Sequence, residues 1–307
     1  MGDTTAILRR KIGGAKDLRS VVRTMKAMAA SSIGQYEKSV RALADYYRTV
    51  ELGLGACFRI SGEEPLMVEA RKQTPAQGVG AVVFGSDQGL VGQFNDVVVD
   101  FAIKELAKLP GKPRIWAVGD RARTRLADAG LPSVRLFAVP SSVKAIAPLV
   151  GKILTDCEKY HQGGEFTELH LYYNRPSPGA GYGPVGQRLL PLDETWRRSL
   201  AQLSWPTRSL PETLSGVRTT LPALIREYLF ISLFRGSAES LASENSSRLA
   251  AMQRAERNID DLLETLTSSL NRQRQSRIDE ELFEVVSGFE ALSPPSTDKP
   301  GQKLGRD

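Results

Sequence analysis

Residues 215–292, SGVRTTLPALIREYLFISLFRGSAESLASENSSRLAAMQRAERNIDDLLETLTSSLNRQRQSRIDEELFEVVSGFEAL, decide the fold. Apolar or small residues recur at Val217, Leu221, Leu224, Tyr228, Ile231, Phe234, Ala238, Leu241, Met252, Ile259, Leu262, Leu266, Leu270, Ile278, Leu282, Val285, Phe289 and Leu292. Most steps are three or four residues, which places these side chains on one stripe of a helix. Pro222 lies in the first turns, where its missing N–H costs least. The interior glycines, Gly236 and Gly288, each cost about 1 kcal/mol relative to alanine. At 1.5 Å per residue the helix would be on the order of 110 Å long. That exceeds any compact domain of this mass. The helix must lie against a partner helix, stand out from the body, or both.

A second long helix is predicted over residues 4–57. Its stripe runs Leu8, Ile12, Ala15, Leu18, Val22, Met25, Ala29, Ile33, Tyr36, Val40, Leu43, Tyr47, Val50, Leu54, with every step three or four. A stripe kept up this long is the signature of a coiled coil. Alanines on it permit close helix approach, and Gly13, Gly14 and Gly34 weaken it locally. The two helices sit at opposite ends of the chain, so pairing them extrudes the middle as a separate body.

That middle reads differently. Residues 58–78 lose the stripe and read as a linker. From 79 to 193, short apolar runs (79–84, 114–119, 134–139, 166–174) alternate with helical segments (94–109, 120–129, 141–161), and 185–192 reads as a hairpin partner or edge strand. Strands alternating with helices imply a mostly parallel sheet covered on both faces. Residues 194–214 read as an irregular return. The Pro- and charge-rich stretch 293–307 is predicted to be disordered. The fold class expected is thus α/β: a long antiparallel coiled coil of N- and C-terminal helices (1–57 and 215–292) plus a central Rossmann-like α/β domain.

Composition narrows the function less. The 307 residues carry a net charge of +6, which suits an acidic partner such as nucleic acid, anionic lipid or an acidic protein surface. Cys57 and Cys157 make no metal spacing, and with only His161 and His170 besides, a zinc site is not expected. No run approaches 18 apolar residues and the N-terminus lacks a signal-peptide core. The expectation is an intracellular, reducing compartment, with membrane association only through a partner.

The strongest catalytic lure is GSDQGLVGQFN (85–95), which follows the first strand and opens a helix. It matches neither phosphate-loop spacing: its glycines are Gly85, Gly89 and Gly92, and no lysine follows. A tight strand-to-helix connection is the simpler account, with Ser86 or Asp87 as turn or cap residues. No Ser/His/Asp set, carboxylate pair or Cys/His pair stands out, so no catalytic, cofactor or metal residue is assigned. Basic side chains crowd two places: Arg9, Arg10, Lys11, Lys16, Arg19, Arg23 and Lys26, and Arg272, Arg274 and Arg277. They read as solvated faces or, in an antiparallel pair, as a collar meeting acidic partner surfaces. Two further readings stay open: a nucleotide-binding α/β enzyme with a helical appendage, and a basic coiled-coil scaffold for nucleic acid.

Several blocks carry a family resemblance. SLFRGSAESLASENSSRLAAMQRAERNIDDL (232–262) resembles the gamma subunit of F-type rotary ATP synthases, and NRQRQSRIDEELFEVVSGFEAL (271–292) resembles that family's closing segment. GSDQGLVGQFN (85–95) and MKAMAASSI (25–33) are similar to its central and N-terminal blocks. The resemblance implies a non-catalytic rotor shaft. Its helices would stand inside a ring of alpha and beta subunits. Its body would sit with the epsilon subunit on the membrane c-ring, peripheral to the cytoplasmic face of a bacterial cell membrane. Ion flow would turn it, and no cofactor, nucleic acid or direct membrane insertion is implied. Met25, Lys26, Arg274, Gln275, Arg277 and Glu281 would be the torque contacts, chiefly to acidic loops of the catalytic subunits. The sequence departs from the family at Lys26 (usually Glu), Ser32 (usually Lys), Asp279 (usually Thr), Gln88 and Val91, and in its Pro-rich tail. These departures suggest a divergent branch such as the alternative bacterial F-type enzymes.

Overall fold

A computed structural model describes residues 2–61, 78–177, 181–209, 211–213 and 216–292. The elements run α1 (Gly2–Ala42), α2 (Ala44–Ser61), β1 (Val79–Phe84), α3 (Phe94–Leu106), β2 (Arg114–Val118), α4 (Asp120–Asp128), β3 (Ser133–Phe137), α5 (Val143–Gln162), β4 (Glu168–Ser177), β5 (Gly181–Leu190), α6 (Glu194–Gln202) and α7 (Val217–Leu292). By packing, the chain falls into two units: Thr24–Arg254, and Met1–Arg23 with Ala255–Asp307.

In the larger unit, five strands form one sheet in the order β3-β2-β1-β4-β5. β1 pairs in parallel with both β2 and β4, β2 pairs in parallel with β3, and β5 returns antiparallel beside β4. Alternate strand residues feed opposite cores. Ala81, Val83, Ile115, Ala117 and Tyr172 pack with Val98, Ala102 and Leu126 of α3 and α4. Val82, Phe84, Trp116, Val118, Leu171 and Tyr173 pack with Ile146 and Ile153 of α5, Leu54 of α2, and Ile231, Ala238 and Leu241 of α7. β1 is buried along its whole length, which is why it reads as an unbroken apolar run rather than an alternating one. Trp116 keeps its indole N–H satisfied on Asp156 at 2.7 Å.

The predicted N-terminal helix is two helices. At Leu43 the backbone N–H is shared between Ser39 O (3.3 Å) and Val40 O (3.2 Å), and the helix resumes with Tyr47 N–H on Leu43 O (2.8 Å). α2 then runs on to Ser61, so residues 58–61 are helical and the rest of the expected linker, 62–77, lies outside the described residues. The expected return segment 194–214 contains α6, capped by the Asp193 carboxylate on Trp196 N–H. α6 docks on α2 closely: a Cβ added at Gly55 would lie 2.3 Å from Leu200 O. Residues 175–184, which fall between the predicted strands 166–174 and 185–192, are largely strand themselves, since β4 reaches Ser177 and β5 begins at Gly181. The tail 293–307 lies outside the described residues.

Two stripe positions are also corrected. Leu18 is 61% exposed, and Arg19 takes its place on the sheltered side. Leu262 is 49% exposed, and Leu263 is the half-buried residue. In each unit the N-terminal helices meet α7 antiparallel. In the smaller unit Arg19 pairs with Asp260 and Arg23 with Glu256, each at 2.8 Å. In the larger one Tyr46 donates to Glu227 at 2.7 Å, Tyr47 packs on Tyr228, and Gly53 lies against Leu224. From Arg19 to Arg23 the partner on α7 retreats from Asp260 to Glu256, and from Tyr46 to Gly53 it retreats from Glu227 to Leu224.

Candidate functional site

The register of the smaller unit fixes what α1 can cover. Stepping from Arg19–Asp260 toward the first residue of α1 brings the opposite position on α7 to about Arg277. Past that point α7 has no α1 residue opposite it, and its stripe is exposed. Ile278, Leu282, Phe283, Val285 and Phe289 are 61%, 63%, 77%, 71% and 75% exposed. The periodicity that predicts a buried seam here is real, but these side chains stay largely exposed. Asp279, Glu280, Glu281 and Glu284 are interleaved, so this end is apolar and acidic at once.

The predicted contact residues fall into two groups. Met25 and Lys26 lie on α1, both half-buried. Arg274, Gln275, Arg277 and Glu281 lie on the exposed end of α7. Arg277 and Glu281 face each other one turn apart at 3.5 Å, both well solvated, a pairing worth about 0.3–0.5 kcal/mol. The predicted collar is thinner than its charge count. Arg19 and Arg23 are taken up by Asp260 and Glu256. Arg9, Arg10, Lys11, Lys16, Arg272 and Arg274 are exposed.

A second region, which spacing alone does not reveal, is the seam between α7 and the sheet. From Gly236 to Asn245 every residue of α7 is buried, polar ones included. Each of several buried polar groups has a stated partner, as buried polar groups require. Ser243 donates to Asn174 O at 2.9 Å, and Ser247 donates to Val91 O. Glu239 is gripped by Arg175 at 2.9 Å and Arg235 at 2.7 Å. Although burial pushes its carboxyl up, these donors outweigh that and hold it below the ordinary range. Glu244 takes Arg248 at 2.7 Å on one oxygen, while its other oxygen is buried without a hydrogen-bond partner among the described residues. Burial raises its carboxyl, Arg248 opposes the shift, and the Asp87 charge adds to it. The buried Tyr36 hydroxyl of α1 is raised by desolvation and then by Glu244. The polar residues of the ESLASEN block are thus met by carbonyls and cations, while its Leu241 and Ala242 pack in the apolar core.

The 85–95 loop is the other half of this seam. Ser86 N–H donates to Asn95 Oδ1 at 2.9 Å, and Asn95 Nδ2 returns a bond to Ser86 Oγ at 2.8 Å. Asn174, fully buried within β4, donates to Phe94 O at 2.8 Å. Gly85 is obligatory, since a Cβ would lie 2.4 Å from Ala122 Cβ. In a doubly wound sheet the ligand crevice opens beyond the strand ends where the order reverses, here between β1 and β4. The loop, Asn174, Ser243 and Ser247 occupy that place. Leu90, at φ +63°, projects from the loop 63% exposed. Its neighbours Gly89 and Gly92 lie beside the guanidiniums of Arg121 and Arg254.

Comparison with known proteins gives consistent matches. A family model described as ATP synthase matches residues 4–292. The ATP synthase gamma chain of Desulforamulus reducens is 30% identical over 294 residues, covering 93% of this chain and 98% of that one. The gamma chain of Arthrobacter sp. is 29% identical over 302 residues, covering 95% and 99%. Among solved structures, a chain of the Euglena gracilis mitochondrial ATP synthase, OSCP/F1/c-ring, superposes with a TM-score of 0.61 at 17% identity, over 100% of both chains. A chain of the Tetrahymena thermophila central stalk and c-ring gives 0.54 at 21% identity, over 76% of this chain and 99% of that one. At such identities the structures speak for the fold.

Proposed function

Because the chain belongs to the ATP synthase family as a gamma chain, we propose that it is the central rotor shaft of a rotary ATP synthase. One observation carries the reading: α7 outruns its partner helix and presents exposed Ile278, Leu282, Phe283 and Val285. A helix end that apolar needs a surrounding sleeve of other subunits, and a ring of alpha and beta subunits supplies one. Arg274, Gln275, Arg277 and Glu281 then stand at the mouth of the sleeve to meet acidic loops of the ring, and Met25 and Lys26 are further ring contacts. The body sits with the epsilon subunit on the c-ring. The chain makes no bonds itself. It carries rotation driven by ion flow to the catalytic subunits, or the reverse. In this reading the chain is held through its partners at the cytoplasmic face of a bacterial cell membrane; no helix among the described residues is long and apolar enough to cross one.

The nucleotide-enzyme alternative loses ground because α7 and the 85–95 loop fill the crevice such an enzyme would use. Purification with native partners tests the proposal. Co-isolation with an ATP-hydrolysing ring of two larger subunit types is expected. A lone, stable homo-oligomer would sink it.

A further inference from the structure

The geometry points to Asp87 as a built-in anion, its carboxylate filling a cradle of backbone amides at the ends of β1, β2 and β3. Its Oδ1 accepts the N–H of Asp120, the first residue of α4, at 3.0 Å. Its Oδ2 accepts the N–H of Val139, just beyond β3, at 2.8 Å. The side chain itself comes from the loop after β1. One carboxylate thus joins the ends of three adjacent strands through donors that, left bare, favour an anion. The backbone around it is closed: Arg121 N–H donates to Ser86 O at 3.0 Å, and at Gly119 (φ +102°) a Cβ would lie 2.7 Å from Ser86 N. Asp87 is exposed on its outer side, so an ion from solvent can reach the place its carboxylate vacates.

The consequence is that the 85–95 loop is preset with no ligand bound. That suits a part which must keep its shape under load, a clause that rests on the shaft reading. The cradle itself does not depend on it. Asp87→Ala in the full chain tests the point on the isolated protein, so failure here is distinguishable from failure of the rotor reading. The readouts are hydrogen exchange at the Asp120 and Val139 amides and the melting temperature, in inorganic phosphate against chloride at equal ionic strength. In chloride the two amides of the variant should exchange about ten-fold faster than in the parent. Phosphate should restore them in the variant and leave the parent unchanged. Full protection of the variant in chloride would overturn the assignment, as would equal stabilisation of both proteins by phosphate. If the variant does not fold in chloride, refolding yield reads the same question. Recovery in phosphate supports the assignment, and equal failure in both salts overturns it.

Discussion

At the scale of single residues, Glu244 sets a pH dependence whose sign follows from its surroundings. Burial raises its carboxyl, Asp87 of the loop reinforces the shift, and Arg248 opposes it. The folded state then holds a proton more tightly than the unfolded chain. The stabilisation this gives is complete below the unfolded carboxylate value and is lost as pH rises through the folded one. Unfolding free energy measured by urea titration should therefore fall across that window in the parent protein, and Glu244→Gln should flatten the slope. An unchanged slope in the variant would remove Glu244 as its source. Function turns on other residues. Arg274→Glu with Arg277→Glu should weaken ATP-driven ion pumping in reconstituted vesicles more than it weakens assembly, with little loss of chain stability, because the Arg277–Glu281 pair is solvated. Pumping equal to the parent would discard these arginines as torque contacts. Single residues are also where sequence reading slips. A step of three or four cannot choose between Leu18 and Arg19, or between Leu262 and Leu263. The choice falls to Asp260, which draws Arg19 inward and turns Leu18 out.

At the scale of elements, most of the sheet was legible because β1 and β2 are buried runs bounded by glycine and proline. α6 was not, although its start was signalled by Asp193 followed by Glu194. Nine residues give too short a stripe to stand out. Asp193→Ala should cost about 1 kcal/mol of stability through the lost cap, read as a lower urea midpoint. No change would mean that packing on α2 alone holds the helix. The end of α7 misleads in the opposite direction. Its stripe is as regular as the paired part, and periodicity carries no information on how far the partner reaches. A chain ending at Ser276 should melt within about 0.5 kcal/mol of the parent, since residues 277–289 of the part removed are exposed. A large loss would show that the stripe is covered within the isolated chain.

At the scale of the whole molecule, sequence and structure argue for different parts of one conclusion. Periodicity implies a shaft, and the ESLASEN and VSG blocks imply which family's shaft. The structure adds where the polar residues of the first block go: Ser243 donates to the carbonyl of Asn174 and Glu239 takes Arg175 and Arg235, while Leu241 and Ala242 pack in the core. Which ring residues the exposed end meets was illegible from one chain, because those partners are other subunits. Rotation is the central claim, and the two native thiols make it accessible. Cys57 and Cys157 are buried, and burial pushes both thiols up, so they should ignore a maleimide that labels an exposed cysteine. With Lys112→Cys as the only reactive site, a bead can be attached to the chain in a surface-fixed complex with its ring. On adding ATP the bead should turn continuously in one direction and stop when ATP is removed. A bead that only fluctuates about one position while the same complexes hydrolyse ATP would contradict the account.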